Sequence, residues 1–387
     1  MNTVVSILMT LLIFTLIVVI HEGGHCFAAR RAGVTVEEFA IGMGPVLFQF
    51  TTKKNTVVSF RLLPIGGFCR MYGEEGTPLE ESNTVVNEAA GKEGGEALAE
   101  TEPQAPAKVG FNQVSVWKRI GIVTAGPLMN FVLAFVLLFA VNICFGYIEN
   151  RVAAVEAGSP AETAGLRVDD TLLRVNGKRV YVFEDASYML SNYSGSGQIE
   201  LVVRHADGEK ETIGMTPFYD EENERYRVGF TAGSFDSMGQ IIGQKGFFPA
   251  LGAVIAETFW YVGYEIKMTL SSIGMLFTGA LGLDSLSGPI GIVTVTGEIY
   301  NEAKALGFGV VLGSMANLAV LLSANLGVLN LFPIPGLDGS RVIILLIEKI
   351  RKKPLDPKVE SIIYLIGFVL LIGLMIAVAV SDVMKLV

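Results

Sequence analysis

Apolar residues fall into long uninterrupted runs at both ends of the chain, with mixed polarity between them. Val4 to Ile20, Ile120 to Ile148 and Leu306 to Ile334 carry no charge, and neither does a fourth run from Ser361 to Ser381. A helix rises about 1.5 Å per residue, so each run is long enough to cross a hydrocarbon core of roughly 30 Å. Phe247 to Leu281 is also apolar, but Glu257, Glu265 and Lys267 interrupt it. Charges are costly at membrane depth, which predicts an amphipathic helix lying on the membrane or against the protein. Val57 to Tyr72 reads as two short strands around Pro64-Ile-Gly-Gly67, and Val152 to Gly229 has the polarity of a soluble domain. From Thr77 to Lys108, glutamates such as Glu80, Glu81, Glu88 and Glu93 alternate with Gly, Ala and Pro, which predicts a disordered acidic loop.

These patterns divide the chain into eight stretches. They are a first span (1–34), a β region (35–75), the acidic loop (76–110), a second span (111–149), a soluble insert (150–220), an amphipathic region (221–304), a third span (305–345), and a basic loop with a fourth span (346–387). Composition agrees, since 51% of the 387 residues are hydrophobic and the mean hydropathy is +0.51. The expected architecture is an α-helical polytopic membrane protein with four spans. A net charge of -9 argues against nucleic acid, whose phosphates attract basic surfaces. Arg30, Arg31, Lys118 and Arg119 flank the first loop, and Lys349, Arg351, Lys352, Lys353 and Lys358 flank the last. By the positive-inside rule both loops are cytoplasmic and both termini lie outside. Val4 to Ile20 lacks a basic start and a small-residue cleavage site, so it is expected to stay in the mature protein. Cys26, Cys69 and Cys144 form no CxxC pair and are expected to be packing residues.

Candidate chemistry sits where the first run ends. His21, Glu22, Gly23, Gly24 and His25 make an HExxH motif. Helix positions four apart share a face, so both imidazoles can reach one Zn²⁺ with Glu22 beside it. Zinc acidifies a bound water, and a neighbouring carboxylate can take its proton during attack on a carbonyl. That chemistry is metal-assisted amide hydrolysis. A mere interfacial cap would explain neither His25 nor the two glycines, each of which costs about 1 kcal/mol of helix propensity against alanine. The remaining histidine, His205, lies in the soluble insert, so a carboxylate must supply a third ligand. Asp338 is the leading candidate, because Pro333, Pro335, Gly336 and Gly339 break the helix around it. If the first and third spans both run inward, His25 and Asp338 emerge at the same face. Counting Phe247 to Leu281 as a span would separate them.

Several of these segments together resemble the site-2 protease family, in its bacterial regulator of sigma-E protease branch. They are HEGGH at 21 to 25, Pro64-Ile-Gly-Gly-Phe-Cys-Arg-Met71, Trp117-Lys-Arg with Ala125-Gly-Pro-Leu-Met-Asn130, Ser287-Gly-Pro-Ile-Gly-Ile, and Asn325 through Gly339. The resemblance implies an intramembrane zinc endopeptidase with His21, His25 and Asp338 as ligands and Glu22 as general base. It also implies a membrane-associated β-hairpin around Gly66 and Gly67 and substrate contacts at Asn325 and Asn330. A helical asparagine can hold unwound backbone or the oxyanion, and it can equally tie two helices together. Val155 to Leu166 followed by Asp169 to Gly177 looks like an α+β PDZ domain, which either captures a peptide carboxy terminus or shields the site. Gly23 departs from the bulky residue common in this motif, and Ser340 from a glycine. The implied partners are single-span membrane proteins, such as membrane-tethered anti-sigma factors or remnant signal peptides, in a bacterial inner membrane. The active site is expected towards the cytoplasm and the PDZ domain outside it. An inactive PDZ scaffold and an ion-coupled transporter are the competing classes, and zinc content with cleavage of a model substrate separates them.

Overall fold

The computed structural model describes residues 3–74, 108–191, 193, 197–221, 225–233, 235–282 and 285–386. The acidic loop expected over 77–108 lies outside them except for Lys108, which pairs with Glu37 at 3.0 Å. The chain forms two bodies, Met1–Leu133 with Ile273–Val387, and Ala134–Ser272.

The first body opens with α1 (Thr3–Ala32), followed by β1 (Val36–Thr51) and β2 (Val57–Met71). Two short strands were expected around Pro64. Instead β2 is continuous, and Ala40 of β1 partners both Phe68 and Ser59. Gly66 explains the difference, because its φ of +79° lets the strand bend without leaving the sheet. The outer part of the sheet exposes Leu47, Phe48, Phe50, Leu62 and Leu63, as suits a sheet in contact with lipid. Then come α2 (Val116–Phe145), which runs through the division between the bodies, and later α7, α8, α9 and α10 (Pro289–Leu306, Phe308–Leu331, Asp338–Arg351, Pro357–Leu386). Among the described residues four helical segments are long and apolar enough to cross a membrane: Val4–Ala32, Val116–Phe145, Phe308–Leu331 and Lys358–Lys385.

Helix α7 packs against α1, α8 and α10. Its start is fixed by Asp382, a buried carboxylate near the end of α10 that accepts from the Gly288 N–H at 3.2 Å and the Gly291 N–H at 2.8 Å. A carboxylate there satisfies orphan donors and meets the positive end of the helix dipole. The glycines of Ser287-Gly-Pro-Ile-Gly are therefore required sterically, since a Cβ at Gly291 would stand 2.9 Å from Asp382 Oδ1. In the same body, Arg119 of α2 forks onto Glu348 of α9, with Nη1 at 3.1 Å. Both side chains are largely buried, and removing one partner of such a pair typically costs about 3–5 kcal/mol.

The second body contains β3 (Tyr147–Ile148), β4 (Val152–Val155), α3 (Pro160–Thr163), β5 (Thr171–Val175), β6 (Lys178–Arg179), α4 (Phe183–Ser191), β7 (Ile199–Arg204) and β8 (Lys210–Met215). After these come β9 (Phe218–Asp220), β10 (Arg225–Arg227), β11 (Phe230–Ala232), β12 (Phe235–Asp236), α5 (Met238–Lys245) and α6 (Phe247–Thr278). Strands in the order β6-β5-β7-β8 make an antiparallel sheet over a core of Leu172, Val175, Ile199, Leu201, Val203 and Ala186. The alternation of Ile199, Leu201 and Val203 with polar neighbours puts these three on the buried face. Helix α6 buries Ala250, Val254, Thr258 and Val262, spaced four apart, and Ala250 and Val254 pack with Tyr147, Phe139 and Ile143. Asn142 donates to Thr258 at 3.1 Å across the same contact. The amphipathic helix thus packs its stripe on protein. Cys26 and Cys69 are buried as expected, but Cys144 is exposed, because it stands on an outward face of α2.

His205 is clamped between two carboxylates, with Nδ1 2.7 Å from Asp170 Oδ1 and Nε2 2.9 Å from Glu211 Oε2. Only the imidazolium donates to both. Glu211 first, then Asp170, raise its pKa above the ordinary 6.5. The sign follows from linkage: this stabilisation is fully present below the unfolded value and is lost as pH rises through the higher folded one. Amide-exchange protection across β7 and β8, corrected for intrinsic rates, should therefore fall as pH rises above about 6.5. His205→Gln should flatten the profile, and equal pH dependence in the two proteins would remove the clamp's role.

Candidate metal centre

His21 and His25 face one another in the last turns of α1, where a four-residue spacing stacks side chains on one helix face. Asp338 is the first residue of α9 and reaches them because the chain leaves helix between Phe332 and Leu337. Gly336, with φ at +98°, turns this segment. Gly339 then lets it fold back tightly, since a Cβ there would lie 2.3 Å from the carbonyl oxygens of Leu331 and Phe332. The three groups converge. His21 Nε2 and His25 Nε2 are 3.2 Å apart, and Asp338 Oδ2 is 3.1 Å from the first and 3.3 Å from the second.

The HExxH glycines have distinct surroundings. Gly24 allows α1 and α2 to touch, because a Cβ would stand 2.5 Å from the Ala125 carbonyl oxygen. A Cβ at Gly23 would meet nothing within 4 Å. On the facing helix, Gly126 roofs the imidazoles: a Cβ there would come within 2.3 Å of His25 Nε2. One turn back, the Ile122 carbonyl accepts from His25 Nδ1 at 2.9 Å. That bond fixes the tautomer whose bare Nε2 faces the cluster.

His21 is oriented by Asn130, which is fully buried on α2 and held through its own carbonyl by Ser323 Oγ at 2.8 Å. Asn130 Nδ2 stands 3.2 Å from His21 Nδ1, while its Oδ1 is buried without a partner among the described residues. Turning the carboxamide over places Oδ1 where it accepts from Nδ1–H, and this again leaves Nε2 bare. Asn130→Leu should therefore weaken zinc binding about 10–100-fold in chelator competition, with Asn130→Asp, which keeps an acceptor, closer to wild type. Unchanged affinity in Asn130→Leu would mean that Asn130 only packs.

The cluster fits a metal ion on its own evidence. Asp338 Oδ2 is buried with no hydrogen-bond donor, although two nitrogen lone pairs point at it. Such an arrangement is repulsive unless a cation or proton sits among the three atoms. Ligands about 2.0–2.1 Å from a tetrahedral Zn²⁺ stand roughly 3.3 Å from one another, close to the observed separations.

Glu22 sits beside the cluster, and β2 comes close to its side chain. Gly67 makes this approach possible, since a Cβ there would lie 3.6 Å from Glu22 Cγ and 2.7 Å from the Ala40 carbonyl oxygen. Gly66 faces Met43 instead, since a Cβ there would lie 2.8 Å from its Cε. Asn325 and Asn330 are half-buried on α8 and supply none of the three convergent ligand atoms. Ala125-Gly-Pro-Leu-Met-Asn130 belongs to the family resemblance, but the sequence alone gives Gly126 and Asn130 no role. Glycine and asparagine one turn apart facing an HExxH helix was the signal available.

The description of peptidase family M50 matches residues 9–374, nearly the whole chain. The chain belongs to peptidase family M50. It is similar over 447 aligned positions to the zinc metalloprotease RasP of Shouchella clausii, with 33% identity covering 100% of both chains. It is also similar to the regulator of sigma-W protease RasP of Bacillus subtilis, with 31% identity over 442 positions covering 100% of this chain and 99% of that one. This M50 peptidase is accordingly a multi-pass membrane zinc metalloprotease of the site-2 type, and Zn²⁺ is its cofactor.

Proposed function

We propose that this peptidase cuts single-span membrane proteins within or near the bilayer, with His21, His25 and Asp338 holding the zinc and Glu22 acting as general base. The observation that carries this reading is the convergence of three ligand atoms around the partnerless Asp338 Oδ2, two of them from within one membrane-length helix and the third from just past the end of another. Zinc supplies Lewis acidity there, polarising a carbonyl and acidifying water. Glu22, beside the three ligands, takes the proton of the attacking water and passes it to the leaving amide nitrogen. The strand that brings Gly67 against Glu22 offers an extended substrate a backbone to pair with. Asn325 and Asn330 remain candidates for holding unwound backbone or the developing oxyanion.

The body built on β5, β7 and β8 is read as a PDZ domain outside the cytoplasm, which admits trimmed substrates and excludes bulky ones or binds a new carboxy terminus. Arg30, Arg31, Lys118 and Arg119 at the ends of α1 and α2 support a cytoplasmic placement of the metal centre. Membrane-tethered regulators, including anti-sigma factors, and leftover signal peptides have the required form, and one relative's name, regulator of sigma-W protease, agrees with this class.

A transmembrane helix hides its peptide bonds in i to i−4 hydrogen bonds, so cleavage requires local unwinding. Gly or Pro placed in the cytoplasmic half of a short-tailed single-span substrate should speed cleavage, and an all-Leu span should slow it. Equal cleavage of both at equal expression in the same membranes would overturn the unwinding requirement.

A further inference from the structure

Beside the metal centre, at the end of α1, lies a second feature that hydrolysis does not use. A cavity of about 530 Å³ opens between α1 and the sheet, lined by Arg30, Arg31, Lys54, Cys26, Phe39 and Val58 among others. Its volume falls in the ~300–1,000 Å³ range of small-ligand sites. Three of its walls are cationic and none is a carboxylate. Among the described residues Arg30, Arg31 and Lys54 are exposed and enter no ion pair, although the chain as a whole carries a charge of -9.

The position narrows what such a cavity could take. Arg30 and Arg31 stand in the last turn of a membrane-length helix, the depth at which lipid headgroups lie. Guanidinium forks suit phosphate oxygens, and the half-buried Phe39 and Val58 suit the apolar beginning of an acyl chain. Gly23 lines the same cavity and leaves it open, since no atom lies within 4 Å of where its Cβ would project. A bulky residue at that position would project into this space. The HEGGH departure thus acquires a physical consequence away from the zinc ligands.

We infer that this cavity binds the phosphodiester headgroup of an anionic glycerophospholipid, with Arg30, Arg31 and Lys54 on the phosphate and Phe39 and Val58 against the glycerol and first methylenes. Basic pockets beside transmembrane helices are known to select such headgroups by the same charge and shape.

The test uses the full chain, purified with its zinc in neutral detergent and given equal amounts of phosphatidylglycerol and phosphatidylcholine, with bound lipid counted by native mass spectrometry. Wild type should retain phosphatidylglycerol over phosphatidylcholine by about tenfold or more, the energy of one good charge-assisted contact. The triple variant Arg30→Gln, Arg31→Gln, Lys54→Gln should lose that preference with zinc content unchanged. Val58→Trp, which narrows the cavity and leaves its charge intact, should lose it too. A distant control, Lys349→Gln with Arg351→Gln and Lys352→Gln, should keep it. Loss of preference in the control but not in the cavity variants would overturn the site. Retention by Val58→Trp would reduce it to surface attraction, and displacement of the lipid by millimolar glycerol 3-phosphate would show that free phosphate chemistry, not a lipid, is what the cavity selects.

Discussion

Glu22→Gln should abolish peptide hydrolysis and leave zinc stoichiometry at the wild-type level. The two side chains have nearly the same shape, so the close approach of Gly67 in β2 to this position is kept. What disappears is a group able to take a proton. General-base assistance is commonly worth about 10²–10⁴-fold, and in a site where no other carboxylate joins the His21, His25 and Asp338 cluster among the described residues, nothing nearby substitutes for it. The measurement is paired: metal content of the purified variant, and cleavage of a single-span reporter in the same membranes. Turnover near wild type with normal zinc would remove Glu22 from the reaction. Lost turnover with lost zinc would instead mean that the glutamate organises the site.

How much of this was legible in the sequence depended on the range of the physical signal. The four spans were legible because exclusion of charge over about 20 residues is a local property. HExxH was legible because its spacing encodes one helix face, and Asp338 because two prolines and two glycines announced a broken helix beside it. The groups that orient the histidines were not. Asn130 and Gly126 act across an interhelical contact, and nothing in their own neighbourhood says which face of α2 meets α1. Asp382 is a further case, an ordinary-looking acid near the end of an apolar run whose partners, Gly288 and Gly291, lie more than ninety positions earlier. β1 was underestimated because its exposed Leu47, Phe48 and Phe50 break the alternation that marks a half-buried strand in water. A strand that meets lipid on one face and packs on protein with the other is apolar on both.

Asp338→Ala should empty the metal centre, and this loss should be larger than that from the outer-shell change at Asn130. The carboxylate is the single anionic member of the cluster and the only one contributed from outside α1, so as a ligand it would supply both charge and the third corner of the site. Its removal leaves two imidazoles whose Nε2 atoms are already directed by the Ile122 carbonyl and Asn130. Two neutral nitrogens on one helix hold Zn²⁺ far less well than three convergent donors, and affinity should fall by clearly more than the roughly 10–100-fold expected of an outer-shell partner. His21→Ala and His25→Ala should do the same, each by removing a corner. The fold should survive all three, because Cys26, Ala29, Val34, Cys69, Ile122 and Leu345 form a core beside the cluster that owes nothing to the metal. Zinc content measured on folded, detergent-purified Asp338→Ala decides the matter: a full equivalent of zinc retained after dialysis against a mild chelator would assign the third ligand to another residue.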